Sequence, residues 1–207
     1  DVFENLESAI ELYRQLTVLL PDNAEYVFAL AGALNKAERF TELTWLYEQM
    51  AKKLEGEEKK RLLLEMADVY HEKLDNPDAA IQTLRQAVKL DPSMTEAFEK
   101  ARAICREQKR FETELRLLGE RSRQVVGAES LHLKVEMARL SALDMGLLPP
   151  ARTYLTEVLD VEPGHEEAFG LYRELLERQE DWKGLAELLA RQFEAVTDEK
   201  RKGELGL

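Results

Sequence analysis

The side chains best suited to chemistry in this chain are three histidines and one cysteine: His71, His132, His165 and Cys105. No histidine has another His or a Cys at metal-ligand spacing. His71 with Asp75 one turn later is more typical of a surface contact than of a metal site. A nucleophilic cysteine would require a base, and the sequence identifies none. The pattern therefore predicts no metal site, no cofactor and no catalytic centre.

Carboxylates are plentiful, but they fall mostly on the outward stripes of amphipathic helices, which is typical of a solvated surface. The sequence has no glycine-rich phosphate loop. A formal net charge of -12 repels phosphate backbones, so we expect no nucleic-acid partner, while a basic protein partner would fit. No apolar run approaches the ~20 residues of a membrane span. These features favour a cytoplasmic protein that is not an enzyme; a periplasmic or other soluble compartment stays open.

Helices must position whatever site exists, because helix-forming residues dominate and only 10 Gly and 6 Pro interrupt them. Asn76 before Pro77 is typical of a helix start, as are Ser93 with Glu96 in a capping box and Asp181 before an apolar run. Apolar spacing predicts helices over 3–20, 22–36, 39–54, 57–74, 77–90, 94–108, 111–126, 129–145, 149–161, 165–179 and 182–196, with another beginning at about 199.

An internal repeat of 71 residues runs through the chain, since Pro21, Pro92 and Pro163 are equally spaced. The same offset relates three further triples at apolar positions: Phe40, Phe111 and Trp182; Leu46, Leu117 and Leu188; Ala9, Ala80 and Ala151. The matching residues lie at turns and apolar positions, where the packing of repeated helices requires similar side chains. Each period therefore predicts four helices in two antiparallel pairs.

The helix pair over 63–92 carries a characteristic order of side chains: Leu63, Met66, Ala67 and Tyr70 on the first helix, then Ala80, Leu84, Ala87 and the closing Pro92. This order resembles the tetratricopeptide signature, whose unit is close to half of the 71-residue period. The linker 74–77 is one residue longer than usual. Alternate units are more divergent, with Leu43, Glu114 and Leu185 where a small residue is usual.

The resemblance implies an all-α fold, an α-solenoid coiled as a right-handed superhelix of about five to six antiparallel helix pairs. First helices would line the concave side. We expect residues 1–207 to form one repeat domain, a fragment of a longer array that associates end to end in isolation. Its units are approximately 1–21, 22–56, 57–92, 93–127, 128–163, 164–197 and a truncated 198–207.

Two aromatic residues depart from the repeat. Phe28 aligns with Glu99 and Gly170, and Trp45 aligns with Arg116 and Glu187. In the geometry of the family, Phe28 would face the concave groove as a peptide anchor; the alternative is burial against Leu64 or a neighbouring helix. We expect Trp45 to pack on the opening helix, and Cys105, which aligns with Leu34 and Leu176, to be a buried core residue.

The resemblance implies a peptide or protein partner. The first helices, which carry mixed charges and apolar groups, would hold it. The alternatives are a structural spacer in a long array and a regulatory module fused to an enzyme. The candidate groove residues are Phe28, Asn35, Leu64, Asp68, His71, Glu99, Arg106 and Arg139.

Overall fold

A computed structural model describes residues 2–20 and 23–204, which form eleven α-helices and no strand. The chain divides into two compact units, residues 1–108 and 109–207. Unit 1 contains α1 (Val2–Leu19), α2 (Ala24–Lys36), α3 (Phe40–Lys53), α4 (Gly56–Asp68), α5 (Pro77–Leu90) and α6 (Thr95–Glu107). Unit 2 contains α7 (Phe111–Ser122), α8 (Ala128–Arg139), α9 (Leu148–Val161), α10 (Glu166–Arg178) and α11 (Trp182–Glu204).

Within each unit, the extensive contacts join helices that follow one another in the chain. Leu63, Leu84 and Cys105 are fully buried in unit 1, and Leu155 and Leu176 are fully buried in unit 2. Burial of one such leucine stabilises the fold by roughly 1.5–3 kcal/mol. The predictions of an all-α solenoid and of a buried Cys105 are confirmed.

The short connections between helices depend on residues with left-handed backbone conformation. Glu38, Lys109 and Glu180 each end a first helix with positive φ, and they are spaced by 71 residues. Two glycines with positive φ are also 71 residues apart: Gly56 is the first residue of α4, and Gly127 immediately precedes α8. Glycine adopts this conformation without the steric cost that a Cβ brings, so it permits the sharp reversal between helices.

The helical segments predicted over 57–74 and 129–145 are present, and each ends in a π-helical turn that the apolar spacing did not indicate. The turn Val69–Lys73 follows α4, and the turn Leu140–Asp144 follows α8. Each turn closes with a backbone bond to the fifth preceding residue, from Leu74 N–H to the Val69 carbonyl and from Met145 N–H to the Leu140 carbonyl, both at 3.1 Å. A π turn accommodates one additional residue without ending the helix, which matches the longer linker.

Side-chain caps set several helix starts. The Asn76 carboxamide accepts a hydrogen bond from Ala79 N–H at 3.1 Å, and the Asp181 carboxylate accepts one from Gly184 N–H at 3.0 Å, so both predicted caps are confirmed. The predicted capping box of Ser93 with Glu96 is wrong. α6 begins after Met94 with no side-chain cap, because the Ser93 hydroxyl and N–H both donate to Asp91, at 2.6 and 2.9 Å.

Two predicted helix ends are also wrong. α7 ends at Ser122, not at residue 126. α11 runs without interruption to Glu204, past the break predicted between 196 and 199. The position 71 residues after Gly127 is Asp198, so the glycine that reverses the chain where α4 and α8 begin is missing there. Without that turn the helical hydrogen bonding continues.

Candidate functional site

The candidate groove residues fall on the first helices of the pairs, as the repeat pattern predicts. Phe28 and Asn35 lie on α2 and are exposed, whereas Leu64 and Asp68 lie half-buried on α4. His71 lies half-buried in the π turn after α4. The remaining candidates are exposed: Glu99 and Arg106 on α6, and Arg139 at the end of α8 in unit 2.

Several of these side chains connect one first helix to the next. Lys100 Nζ on α6 lies 2.9 Å from both carboxylate oxygens of Asp68, and His71 Nε2 lies 3.1 Å from Glu107 Oε2. Burial lowers the pKa of Lys100, but hydrogen bonds and charge from Asp68 and Glu96 outweigh it, so the net pKa is raised. Asp68 and His71 therefore help to hold α4 against α6.

The same type of link occurs in unit 2, where Arg139 Nη2 lies 2.8 Å from Glu167 Oε1 on α10. Glu99 forms a local pair with Arg102 at 3.3 Å. Arg102 also lies over the ring of Phe98, 5.5 Å from its centroid. Asp68, His71 and Arg139 thus link successive first helices within each unit, whereas Glu99 makes its contact within α6.

Phe28 lies elsewhere, in an apolar pocket of about 480 Å³ at one end of α1, α2 and α3. Thr17 and Val18 contribute from α1, and Val27 and Phe28 from α2. The wall from α3 consists of Trp45, Leu46, Gln49, Met50 and Lys53, with Leu54 just beyond the helix. None of the other groove candidates lines this pocket, which we call the Phe28 pocket.

The aromatic rings of the Phe28 pocket are open to solvent. Phe28 is 45% exposed, so it is not buried against Leu64, and Trp45 is 62% exposed. The expectation that Trp45 packs on the opening helix is therefore wrong. α1 contributes only Thr17 and the 80% exposed Val18 near the indole, and these small side chains do not cover it. The departure of both aromatics from the repeat pattern was the available signal for this site.

The described residues that could take part in chemistry do not form a reactive centre. His165 caps α10, where its Nδ1 accepts a hydrogen bond from Ala168 N–H at 3.3 Å. Among the side chains that the structure describes, no three of His, Cys, Asp or Glu are placed to hold a metal ion. Within residues 2–20 and 23–204, no helix combines the length and the apolar character needed to cross a membrane.

Comparisons with known proteins identify one repeat directly. Residues 61–94 match the family model of the tetratricopeptide repeat, a segment that contains most of α4 and all of α5. No curated protein sequence matches significantly.

Three solved structures are among those similar to this chain. MamA from Desulfovibrio magneticus RS-1 is 15% identical, covering 86% of this chain and 97% of that one, with a TM-score of 0.43. YrrB, described as a TPR protein with an unusual peptide-binding site, is 19% identical over 82% of this chain and 84% of its own, with a TM-score of 0.42. The C-terminal part of a TPR repeat-containing protein from Cytophaga hutchinsonii is 16% identical over 99% and 81%, with a TM-score of 0.47.

The matched segment is the helix pair with the clearest signature, and the pair α8–α9 repeats its plan, including the π turn and the left-handed residue after it. The chain therefore carries a segment similar to the tetratricopeptide repeat, and its all-helical fold of sequential helix pairs is of the same kind.

Proposed function

We propose that this protein is a non-catalytic interaction scaffold that binds a peptide or protein segment through unit 1, with Phe28 as an anchor position. The fold of the family supports a scaffold in general terms. The single observation that carries the specific proposal is the Phe28 pocket, an apolar cavity whose two aromatic walls are open to solvent. The pocket would take an apolar side chain of the partner.

The energetics of the Phe28 pocket favour this use. An apolar side chain that leaves water and fills such a cavity contributes roughly 1.5–3 kcal/mol. Aromatic residues dominate the energetically important positions of protein interfaces, because they offer large contact areas with little side-chain entropy to lose. Glu99, Gly170, Arg116 and Glu187 stand at the corresponding positions of the other periods, so the aromatic pair is particular to this place.

The first-helix face of unit 1 would hold the flanking part of the bound segment. Asn35, Leu64 and Arg106 offer an amide, an apolar surface and a cation on three successive first helices. Contacts of such different kinds suit a segment of mixed composition. Asp68 and His71, which join α4 to α6, keep these helices in register for that contact.

A pair of tryptophan variants tests the proposal. Trp45 and Trp182 are almost equally exposed, at 62% and 63%, but Trp182 begins α11 in unit 2 and is not part of the Phe28 pocket. We expect Trp45→Ala and Phe28→Ala each to weaken binding of a captured partner by about tenfold or more, with Trp182→Ala close to wild type. Partners would be captured from a lysate with the wild-type protein, identified, and titrated against each variant by calorimetry.

Circular dichroism must show that the variants keep their helicity. Equal affinity for wild type, Trp45→Ala and Phe28→Ala would reject the pocket as the anchor. A Phe28→Ala/Arg106→Glu variant then tests the first-helix face as a whole, and unchanged binding by it would reject that face. If no partner is recovered in a pocket-dependent way, the spacer alternative is the better description.

A further inference from the structure

A second cavity, of about 430 Å³, lies on unit 1 between α3 and α5, with α4 and its π turn beneath. We call it the α3–α5 groove. Its floor includes Met66 and Thr83, both buried, and the Thr83 hydroxyl is satisfied by the Ala79 carbonyl at 2.8 Å. Its walls carry more polar side chains than those of the Phe28 pocket, and the two cavities share no residue.

Two lysines lie at one end of the α3–α5 groove. Lys52 is the penultimate residue of α3, and Lys59 lies in the first turn of α4 after a short connection, so both belong to the same end. Neither ammonium pairs with a carboxylate of the residues that the structure describes. Lys52 donates to the Gln49 side-chain carbonyl at 3.1 Å. Two uncompensated cations in a chain with a net charge of -12 mark a local positive site.

The opposite end of the α3–α5 groove is acidic but already engaged. The Tyr70 hydroxyl, in the π turn, donates a hydrogen bond of 2.8 Å to the Glu48 carboxylate. Glu48 lies four residues before Lys52 on α3, about 6 Å along the helix axis at 1.5 Å per residue. The groove therefore has a positive and a negative end about one helical turn apart along α3, and this polarity would orient a ligand.

The wall between these ends carries two glutamines one helical turn apart, Gln82 and Gln86 on α5. Both side chains are exposed, and each primary amide can donate to a peptide carbonyl and accept from a peptide N–H. From Ala79 to Gln86, this wall extends about 10 Å, the length of about three residues of extended chain. The spacing suits a peptide backbone better than a compact ion.

From these features we propose that the α3–α5 groove binds a short extended segment of a partner protein, with an Asp or Glu side chain between Lys52 and Lys59 and its backbone along Gln82 and Gln86. Charge complementarity selects the acidic side chain, and the paired amides select the extended backbone. The site lies on second helices and the floor of α4, apart from the Phe28 pocket, so it does not depend on the function proposed for that pocket.

A phage-displayed library of random octapeptides, fused through their C-termini, provides the probe. The library would be selected on the wild-type protein and depleted on the Lys52→Gln/Lys59→Gln variant. We expect the enriched peptides to share an Asp or Glu. The best peptide, synthesised with acetyl and amide ends, would then be titrated by fluorescence anisotropy against wild type and variants.

The expected result is about a tenfold loss of affinity for Lys52→Gln/Lys59→Gln, since each accessible charge contact contributes modestly. A peptide with its acidic residue replaced by Gln or Asn should lose affinity equally, and higher salt should weaken the wild-type complex. Lys36→Gln/Lys73→Gln, which neutralises two exposed lysines outside the groove, is the matched control and should bind as wild type. Phe28→Ala should also bind as wild type.

Three outcomes would overturn the proposal. The first is a selection in which no peptide is retained after depletion on Lys52→Gln/Lys59→Gln, because binding then does not depend on these lysines. The second is an enriched set without a shared acidic residue. The third is a peptide whose binding Phe28→Ala abolishes, because it occupies the other pocket. Circular dichroism of the double variant must match wild type, which separates loss of the site from loss of the fold.

Discussion

The helix pair α4–α5 in unit 1 and the helix pair α8–α9 in unit 2 follow the same backbone path with different side chains at the turns. In both pairs the first helix ends in a π turn, at Val69–Lys73 and Leu140–Asp144. A left-handed residue follows each turn, but it is Asp75 in one pair and Gly146 in the other, with φ of 46° and 68°. The backbone conformation is therefore shared while the residue that adopts it is not.

The side chains around these turns differ even more. α5 begins with the Asn76 cap and Pro77, whereas α9 begins after Leu147, which provides no side-chain cap. Lys60 Nζ lies 2.6 Å from Asp91 Oδ2 in the first pair. The corresponding positions of the second pair are Leu131, which is buried, and Glu162. The difference indicates that apolar packing sets the path of each pair and that polar groups at the turns adjust its stability.

The largest effect should come from the packing that the two pairs share. Leu84 and Leu155 are fully buried at corresponding positions, so Leu84→Ala and Leu155→Ala should each lower the free energy of unfolding by about 2–5 kcal/mol. Trp45 lies in unit 1 and Trp182 in unit 2, so urea titrations of single-tryptophan variants report each unit separately. Leu90→Ala, at an exposed position, is the control; losses below 1 kcal/mol at the buried leucines would contradict the comparison.

The left-handed turn gives the next largest effect, with opposite signs in the two pairs. Gly146→Ala should destabilise unit 2 by about 1–2 kcal/mol, because a Cβ is strained at positive φ. Asp75→Gly should relieve that strain in unit 1 and raise its stability by up to ~1 kcal/mol. Thermal unfolding followed at the tryptophan of each unit measures both. If Gly146→Ala is neutral, the turn does not depend on the left-handed conformation.

Most of the fold could be predicted from the sequence because its signals are local. α5 was predicted over 77–90 and has those bounds, since Asn76 and Pro77 mark its start and its apolar residues recur at helical spacing. The π turns could not be predicted in the same way. A shift of one hydrogen bond leaves the apolar spacing nearly unchanged, and only the additional residue in the linker 74–77 indicated it.

The candidate site was less accessible to sequence reasoning. Phe28 and Trp45 were recognisable because they depart from the repeat, but their pocket also requires Val18, at the end of another helix. The pair of Asp68 with Lys100 joins residues 32 positions apart. Many acidic and basic residues in the sequence are separated by about one repeat. Only the packing of α4 on α6 shows that Asp68 and Lys100 are the two that form an ion pair.

Helix capping gives a smaller effect, which can be transferred between the pairs. Asn76→Ala removes the acceptor for Ala79 N–H and should cost about 1 kcal/mol in unit 1. Leu147→Asn places the same cap before α9 and should stabilise unit 2 by up to ~1 kcal/mol. Thermal unfolding of the two variants and of the double variant should show additive shifts, because the sites lie in different units. If Leu147→Asn is destabilising, the packing lost with the half-exposed leucine side chain outweighs the stability gained from the new cap.

The smallest effect is a difference in acid sensitivity. Hydrogen bonds from Lys60 and Ser93 hold the pKa of Asp91 well below its usual value of 3.8. A carboxylate with a lowered pKa in the folded state stabilises the fold above its unfolded pKa and loses that contribution as the pH falls. Asp91→Asn should therefore lower the unfolding midpoint of unit 1 at pH 6 and converge with wild type as the pH falls below about 4. Glu162→Gln at the corresponding position of unit 2 should show no such convergence, since Leu131 offers no cation there. A pH-independent effect of Asp91→Asn would show that Asp91 acts through the turn hydrogen bonds with Ser93, which an asparagine oxygen partly reproduces, and not through its charge.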